Sequence, residues 1–198
     1  MPNRDPPDPW HSFLAEVDSK LDDMVHLACI GGFVLTVHYG LDRQTSDIDF
    51  LAVGMPRALI ALLEKLAGKE SSLRKKYGVH LDPVGPGIVD LPCDYRTRLD
   101  ELFLSTYSHL RLQALDPYDL LLSRLKRNDK RDRDDVEHLA VKVPLESGAL
   151  RQRYERELQP HLYRHEQFDE RVEQWAEMID RVREMTVPAR PPHLNELS

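Results

Sequence analysis

Apolar positions along the first 115 residues switch between two periods. Trp10, Phe13, Leu14, Val17 and Leu21 recur at helical spacing and predict a helix from Trp10 to about Asp23. VHLACIGG is a short apolar run of strand formers closed by a glycine pair, and predicts a strand. FVLTVHYG predicts a helix stopped by Gly40. SDIDFLAV alternates and predicts a second strand. Pro56 opens an amphipathic helix, PRALIALLEKLAGK, and ESSLRKKYG continues it to Gly78. VHLDPV predicts a third strand, cut short by Pro83. GPGIVDLPCDY is rich in turn formers, RTRLDELFL reads as a helical turn or a strand edge, and HLRLQAL alternates as a further strand.

At Asp116 the pattern changes. Asp116-Pro117 has the form of an N-cap followed by proline at the first helical position, and only helical periodicity follows to about Arg183. Pro160 must break the last long charged segment. The order is helix, strand, helix, strand, helix, strand, strand, then helices. This predicts an α+β fold: a small mixed β-sheet core flanked by helices, with an all-helical C-terminal lobe. The expected division is a disordered N-terminus over 1–9, a core over 10–115, a helical lobe over 116–185 and a disordered tail over 186–198.

Composition narrows the function. The 198 residues are 41% hydrophobic and 31% charged, ordinary for a globular chain of one compact domain. No apolar run approaches the ~20 residues that span a bilayer, and MPNRDPPDPW lacks the apolar stretch of a signal peptide. A cytoplasmic protein without membrane contact is expected. The net charge of −7 argues against a general nucleic-acid coat. Cys29 and Cys93 show no metal-ligand spacing, and Cys29 reads as a buried thiol.

The chemistry lies in IGGFVLTVHYGLDRQTSDIDF. A strand ends in Gly31-Gly32 and runs into a helix start, where backbone N–H groups and the helix dipole favour a phosphate. Asp47 and Asp49 flank Ile48 on the next strand, and residues two apart share a face. Two carboxylates side by side repel unless a cation stands between them, and Mg2+ prefers such hard oxygens together with substrate phosphates. A two-metal site activates an attacking oxygen and stabilises leaving pyrophosphate. An isolated Asp-x-Asp is common on solvated strand edges; its place after Gly-Gly, ahead of apolar FLAV, raises its specificity. Arg43 reads as a phosphate contact or a surface loop residue, Ser46 as a group assisting a nucleotide, and Thr45 as a turn residue.

In the helical part, Arg124 and Arg127 share a face. Lys126, Arg127, Lys130, Arg131 and Arg133 form a local basic cluster. It reads either as a triphosphate or RNA-backbone clamp or as a solvated helix–helix turn with weak ion pairs. His161 and His165 are four apart, without an evident third metal ligand.

Gly-Gly followed by Asp-x-Asp resembles the signature of the DNA polymerase beta-like nucleotidyltransferases. More narrowly, GG…YGLDRQTSDID with LDPYDLLLSRLKRNDKRDRDDVEHL resembles the bacterial minimal nucleotidyltransferases related to the AbiEii/MenT toxin group, over residues 25–140 or so. The resemblance implies an NTP substrate (ATP binding among the expected properties), Mg2+ or Mn2+ as cofactor, and Asp47 and Asp49 as metal-binding catalytic residues. It implies a third carboxylate on a neighbouring strand, with Asp82 chosen and Asp90 the competitor. It implies nucleotide contacts from Gly31, Gly32, Arg124 and Arg131. The relatives carry Ser-Lys-Leu where this chain has Ser123-Arg124-Leu125; arginine keeps the charge and alters the geometry. Asp132 and Asp135 are expected to orient these cations, contact the acceptor or, for Asp132, cap the helix. The implied reaction moves an NMP to an acceptor hydroxyl on a tRNA 3′ end, a protein or a small molecule. A toxin role would bring a cognate antitoxin as partner. The other reading is a catalytically silent member acting as an antitoxin or interaction module.

Overall fold

The computed structural model describes residues 5–42, 44–163 and 165–186. The disorder expected for 1–4 and for 187–198 therefore lies outside the described residues.

Helix α1 (Trp10–Asp18) leads into β1 (Val25–Ile30). A short helical turn, α2 (Gly31–Phe33), continues as a π-helix over Val34–His38. Strand β2 (Asp47–Leu51), helices α3 (Arg57–Ala67) and α4 (Ser72–Tyr77), and strand β3 (His80–Val84) follow. A 3-10 turn (Tyr95–Arg98) leads to β4 (Asp100–Leu102) and β5 (Leu110–Ala114). The rest is helical: α5 (Pro117–Leu122), α6 (Lys130–Lys142), α7 (Ser147–Arg153) and α8 (Glu166–Thr186).

The strands form one mixed sheet in the order β3-β2-β1-β5-β4. Strand β1 runs antiparallel to β2 and parallel to β5, and β2 runs parallel to β3. This is the α+β architecture expected from the sequence. Ile48 and Phe50 from β2, Leu27 from β1 and Leu112 from β5 are fully buried. One continuous core runs from Trp10 to Val182, so the C-terminal helices bury their apolar stripe against the same interior as the sheet.

Five boundaries differ from the expected ones. Helix α1 stops at Asp18 rather than near Asp23, because the Asp18 carboxylate turns to accept the N–H groups of Ser108, His109 and Leu110 at the entrance of β5 (3.0, 2.7 and 2.8 Å). The helix expected over FVLTVHYG is largely a π-helix, with the Tyr39 N–H reaching back to the Val34 carbonyl. The helix opened by Pro56 ends at extended Gly68, and Ser71 starts a separate helix by accepting from the Arg74 N–H at 3.0 Å. Helix α5 has the expected Asp116 cap on the Asp119 N–H (2.8 Å) but ends at Leu122. Tight turns closed by Leu125 N–H to Leu122 and Arg127 N–H to Arg124 follow, ending at Asn128 with φ 47°. Finally, Asp129 rather than Asp132 caps α6; Asp132 is its capping-box partner, accepting from the Asp129 N–H. Pro160 interrupts the last segment as expected, at the 3-10 turn Gln159–His161.

Candidate active site

A cleft of about 500 Å3 opens where β1, β2 and the segment after α5 meet, lined by Gly31, Gly32, Gln44, Thr45, Asp47, Asp49, Ser123, Arg124, Lys126, Arg127 and Arg131, with Ile30, Val84, Ile88 and Val89 as its apolar part. Asp47 and Asp49 are its acidic part, and sheet register sets exposed Asp82 beside them, outside the lining. Asp47 pairs with His80 and Asp49 with Asp82 across parallel β2–β3, so the three aspartates share one face while Ile48 points into the core.

Gly31 explains how Asp49 fits. Its φ is +77°, and a Cβ built there would lie 2.0 Å from Asp49 Oδ2. Only glycine allows the carboxylate to rest against the backbone at the end of β1. Burial, and after it the charges of Asp47 and Asp82, push the Asp49 carboxyl up to about 6, against the opposing pull of Arg124 and Arg127. Thr45 Oγ1 donates to Asp47 Oδ1 at 2.8 Å and fixes its rotamer. The sequence assigns Thr45 only to a turn; the Thr-x-Asp spacing is the signal that was available. The three aspartates repel one another, and at least one pair of their ligand oxygens stands more than 4.8 Å apart.

Asp90 takes another course. It pairs with Lys126 at 3.8 Å, whereas Asp82 stands across from Asp49 in the sheet and its charge bears on Asp49; neither Asp82 nor Asp90 lines the cleft. Lys126 also donates to the Gly87 carbonyl at 3.4 Å, joining the 85–90 turn to the cation segment.

Buried aspartates hold that segment. Arg124 is nearly buried, and its Nη1 contacts Asp132 at 3.4 Å and Asp135 at 2.9 Å. Burial pushes the Arg124 pKa down, and Asp135 and Asp132 oppose the shift. Its Nε and Nη2 have no hydrogen-bond partner among the described residues. Arg127 donates through Nε to Asp132 Oδ2 at 3.0 Å and through Nη2 to Asp132 Oδ1. Burial pushes the Asp132 carboxyl up, but the Arg127 hydrogen bond, the Asp129 N–H and the two guanidinium charges leave it below its ordinary value. Much of the basic cluster is thus internally paired, including Lys130 with Asp134 at 3.0 Å and Arg133 with the Asn128 carbonyl at 3.0 Å. Arg131 differs: it is exposed at the cleft and makes no ion pair among the described residues.

Helix α8 braces this segment, a role its sequence does not announce. Arg171 Nη1 donates to the Leu125 and Lys126 carbonyls, both at 2.8 Å, and buried Trp175 donates through Nε1 to Asn128 Oδ1 at 3.0 Å.

Of the other expected residues, Ser46 lies outside this cleft and lines a neighbouring one. Arg43 lies outside the described residues. Cys29 is buried, as expected. His165 turns to Asp169 at 3.1 Å. Among the described residues the compact ligand group is Cys93, Asp94 and Glu157, and Glu157 is engaged by Arg98 at 2.6 Å. No helix among the described residues is long and apolar enough to cross a membrane.

A cleft lined by Arg124, Lys126, Arg127 and Arg131 together with Asp47 and Asp49 suits a polyanion carried with a divalent cation. A family model described as a nucleotidyltransferase of unknown function (DUF6036) matches residues 11–183. No curated protein and no solved structure matches the chain.

Proposed function

From the premise that the chain belongs to this nucleotidyltransferase family, we propose that it transfers an NMP from an NTP to an acceptor hydroxyl, releasing pyrophosphate. The observation that carries the reading is the approach of Gly31 to Asp49, with Asp47 and Asp82 on the same face and Arg124, Lys126, Arg127 and Arg131 lining the same cleft as Asp47 and Asp49.

Asp47 and Asp49 fit Mg2+ or Mn2+: two hard oxygen donors line the cleft from one face of β2, with Asp82 beside them on the same face, and the charges of Asp47 and Asp82 raise the cost of ionising Asp49. The ion, when bound, supplies charge neutralisation and activation of the attacking oxygen. The chain's residues do the rest. Gly31 and Gly32 let the phosphates approach the backbone at a helix start. Arg124, Arg127 and Arg131 balance the triphosphate charge and orient it. Thr45 holds Asp47 in one rotamer. Asp132 and Asp135 act as positioning residues by fixing Arg124.

The acceptor class is read by incubating the protein with α-labelled NTPs, Mg2+ and a cell lysate, beside an Asp47→Asn/Asp49→Asn variant. Label in RNA, protein or small molecules names the acceptor. The variant is expected to lose at least a hundredfold of the labelling, and EDTA to abolish it. Labelling by neither protein with any of the four NTPs would falsify the proposal. The resemblance to the AbiEii/MenT group supports a further reading, a toxin held by a cognate antitoxin. Growth arrest on expression of the wild type, absent with the Asp47→Asn/Asp49→Asn variant, tests it, and unchanged growth with both rejects it.

A further inference from the structure

The cleft that carries Arg124, Lys126 and Arg127 also has an apolar wall. Val84 closes β3, and Ile88 and Val89 stand on the turn that follows it; all three line the cleft. Ile88 is 67% exposed, among the most open of the large apolar side chains in the described residues. Together the three make an apolar patch on the side of an otherwise charged cleft, the arrangement of a ligand surface.

The polar groups around this wall are engaged elsewhere. Lys126 Nζ pairs with Asp90, which lies outside the lining, at 3.8 Å and donates to the Gly87 carbonyl at 3.4 Å. These contacts fasten the 85–90 turn to the cation segment. Pro86 has no N–H, and the Gly85 carbonyl accepts from the Ile88 N–H at 3.4 Å. The Thr45 hydroxyl donates to Asp47 at 2.8 Å, and the Ser123 hydroxyl to the Leu120 carbonyl at 2.7 Å. Gln44 precedes β2, at the other end of the strand pair from Val84. Register sets the scale: Asp49 pairs with Asp82, and Val84 lies two residues further on, about 7 Å along the strand.

Resting on the nucleotidyltransfer reading, we propose that this wall takes the face of the nucleobase, that Ile88 is its specificity-determining residue, and that bases are told apart by size rather than by the groups on their edges. With the α-phosphate at Asp49, one ribose spans the step to Val84. A base laid on Val84, Ile88 and Val89 packs its face against methyl groups, and its edge meets no donor or acceptor from these side chains. Every base has such a face. Sites that hydrogen-bond a ligand reject the wrong one by about 10,000-fold or more, because their own polar groups are left unpaired; apolar sites separate ligands one methylene apart by only about 10–200-fold. The wall therefore accepts all four NTPs and favours the larger purines. Lys126 keeps it beside the phosphates and holds Asp90 away from the base.

The test is equilibrium binding in Mg2+, read by calorimetry. The ligands are the α,β-methylene analogues of ATP, GTP, CTP and UTP, and tripolyphosphate as a probe without sugar or base. The four analogues are expected to bind within about thirtyfold of one another, purines ahead of pyrimidines, and each about fivefold or more tighter than tripolyphosphate. Ile88→Ser is expected to weaken the analogues about fivefold, and Ile88→Phe, which offers a ring for stacking, to tighten them about fivefold, with tripolyphosphate unchanged within about twofold. Asp90→Ala is expected to leave the ranking of the four bases as it is. A wider spread among the analogues overturns the inference, and so does a ranking altered by Asp90→Ala. So do Ile88 variants that both bind like the wild type, or tripolyphosphate bound as tightly as the analogues. A wild-type protein that binds neither the analogues nor tripolyphosphate overturns the nucleotidyltransfer reading, and this inference with it.

Discussion

At the residue scale the site depends on one missing methyl group. With φ +77° and Asp49 Oδ2 2.0 Å from where a Cβ would stand, Gly31→Ala forces either the backbone or the carboxylate to move. Backbone strain of this kind costs on the order of 1–3 kcal/mol. The expected outcome is a modest fall in Tm with loss of at least a hundredfold in NMP transfer, measured by thermal denaturation and product labelling. Unchanged transfer would contradict the role given to this contact. Arg124 makes a second residue-scale case. Arg124→Met leaves Asp132 and Asp135 buried without their shared cation. Breaking a buried pair from one side costs about 3–5 kcal/mol, so the variant is expected to unfold at markedly lower denaturant. Arg124→Lys keeps the charge and is expected to retain more than half of that stability.

At the element scale, Asp18 joins α1 to the edge of β5. Burial pushes its carboxyl up, but three backbone N–H groups stabilise the anion more and leave its pKa below the ordinary value. The folded pKa is depressed, so this contribution to stability is present above the unfolded value, about 3.9, and is lost as pH falls through the folded value. Asp18→Ala is expected to lower stability by about 1–3 kcal/mol near neutrality, since it orphans part-buried backbone donors. The gap between variant and wild type closes below about pH 4. Chemical denaturation as a function of pH measures it; a gap independent of pH would show that Asp18 acts without its charge.

At the scale of the whole molecule, α8 covers the core and fixes the cation segment through Arg171 and Trp175. Arg171→Ala removes two hydrogen bonds, worth about 0.5–1.5 kcal/mol each. It is expected to raise the KM for NTP more than it lowers Tm, because the released turn carries Arg124 and Arg127. Trp175→Ala removes a fully buried ring and is expected to cost about 3–5 kcal/mol. Because one core runs through sheet and helices, both variants should unfold in a single calorimetric transition. Two separate transitions would show that the helical part folds as its own unit.

The chain's own pattern determined the α+β class, strands β1, β2, β3 and β5, the Asp116 cap with Pro117 at the first helical position, and the grouping of Asp47 with Asp49, because each follows from local pattern or from two residues on one strand. Gly31 was legible as a glycine before a helix, but its contact with Asp49 needed the antiparallel pairing of β1 with β2. Tertiary structure alone decided that Asp82 rather than Asp90 stands beside Asp49, since register across parallel strands links residues 33 apart in the chain. It decided that Asp132 and Asp135 fix Arg124, that α5 stops at Leu122, and that α8 steadies the cation segment. Local propensity fixes what a segment tends to become. Which charge meets which is set by packing between segments, where desolvation makes a buried carboxylate costly unless its partner is brought to it.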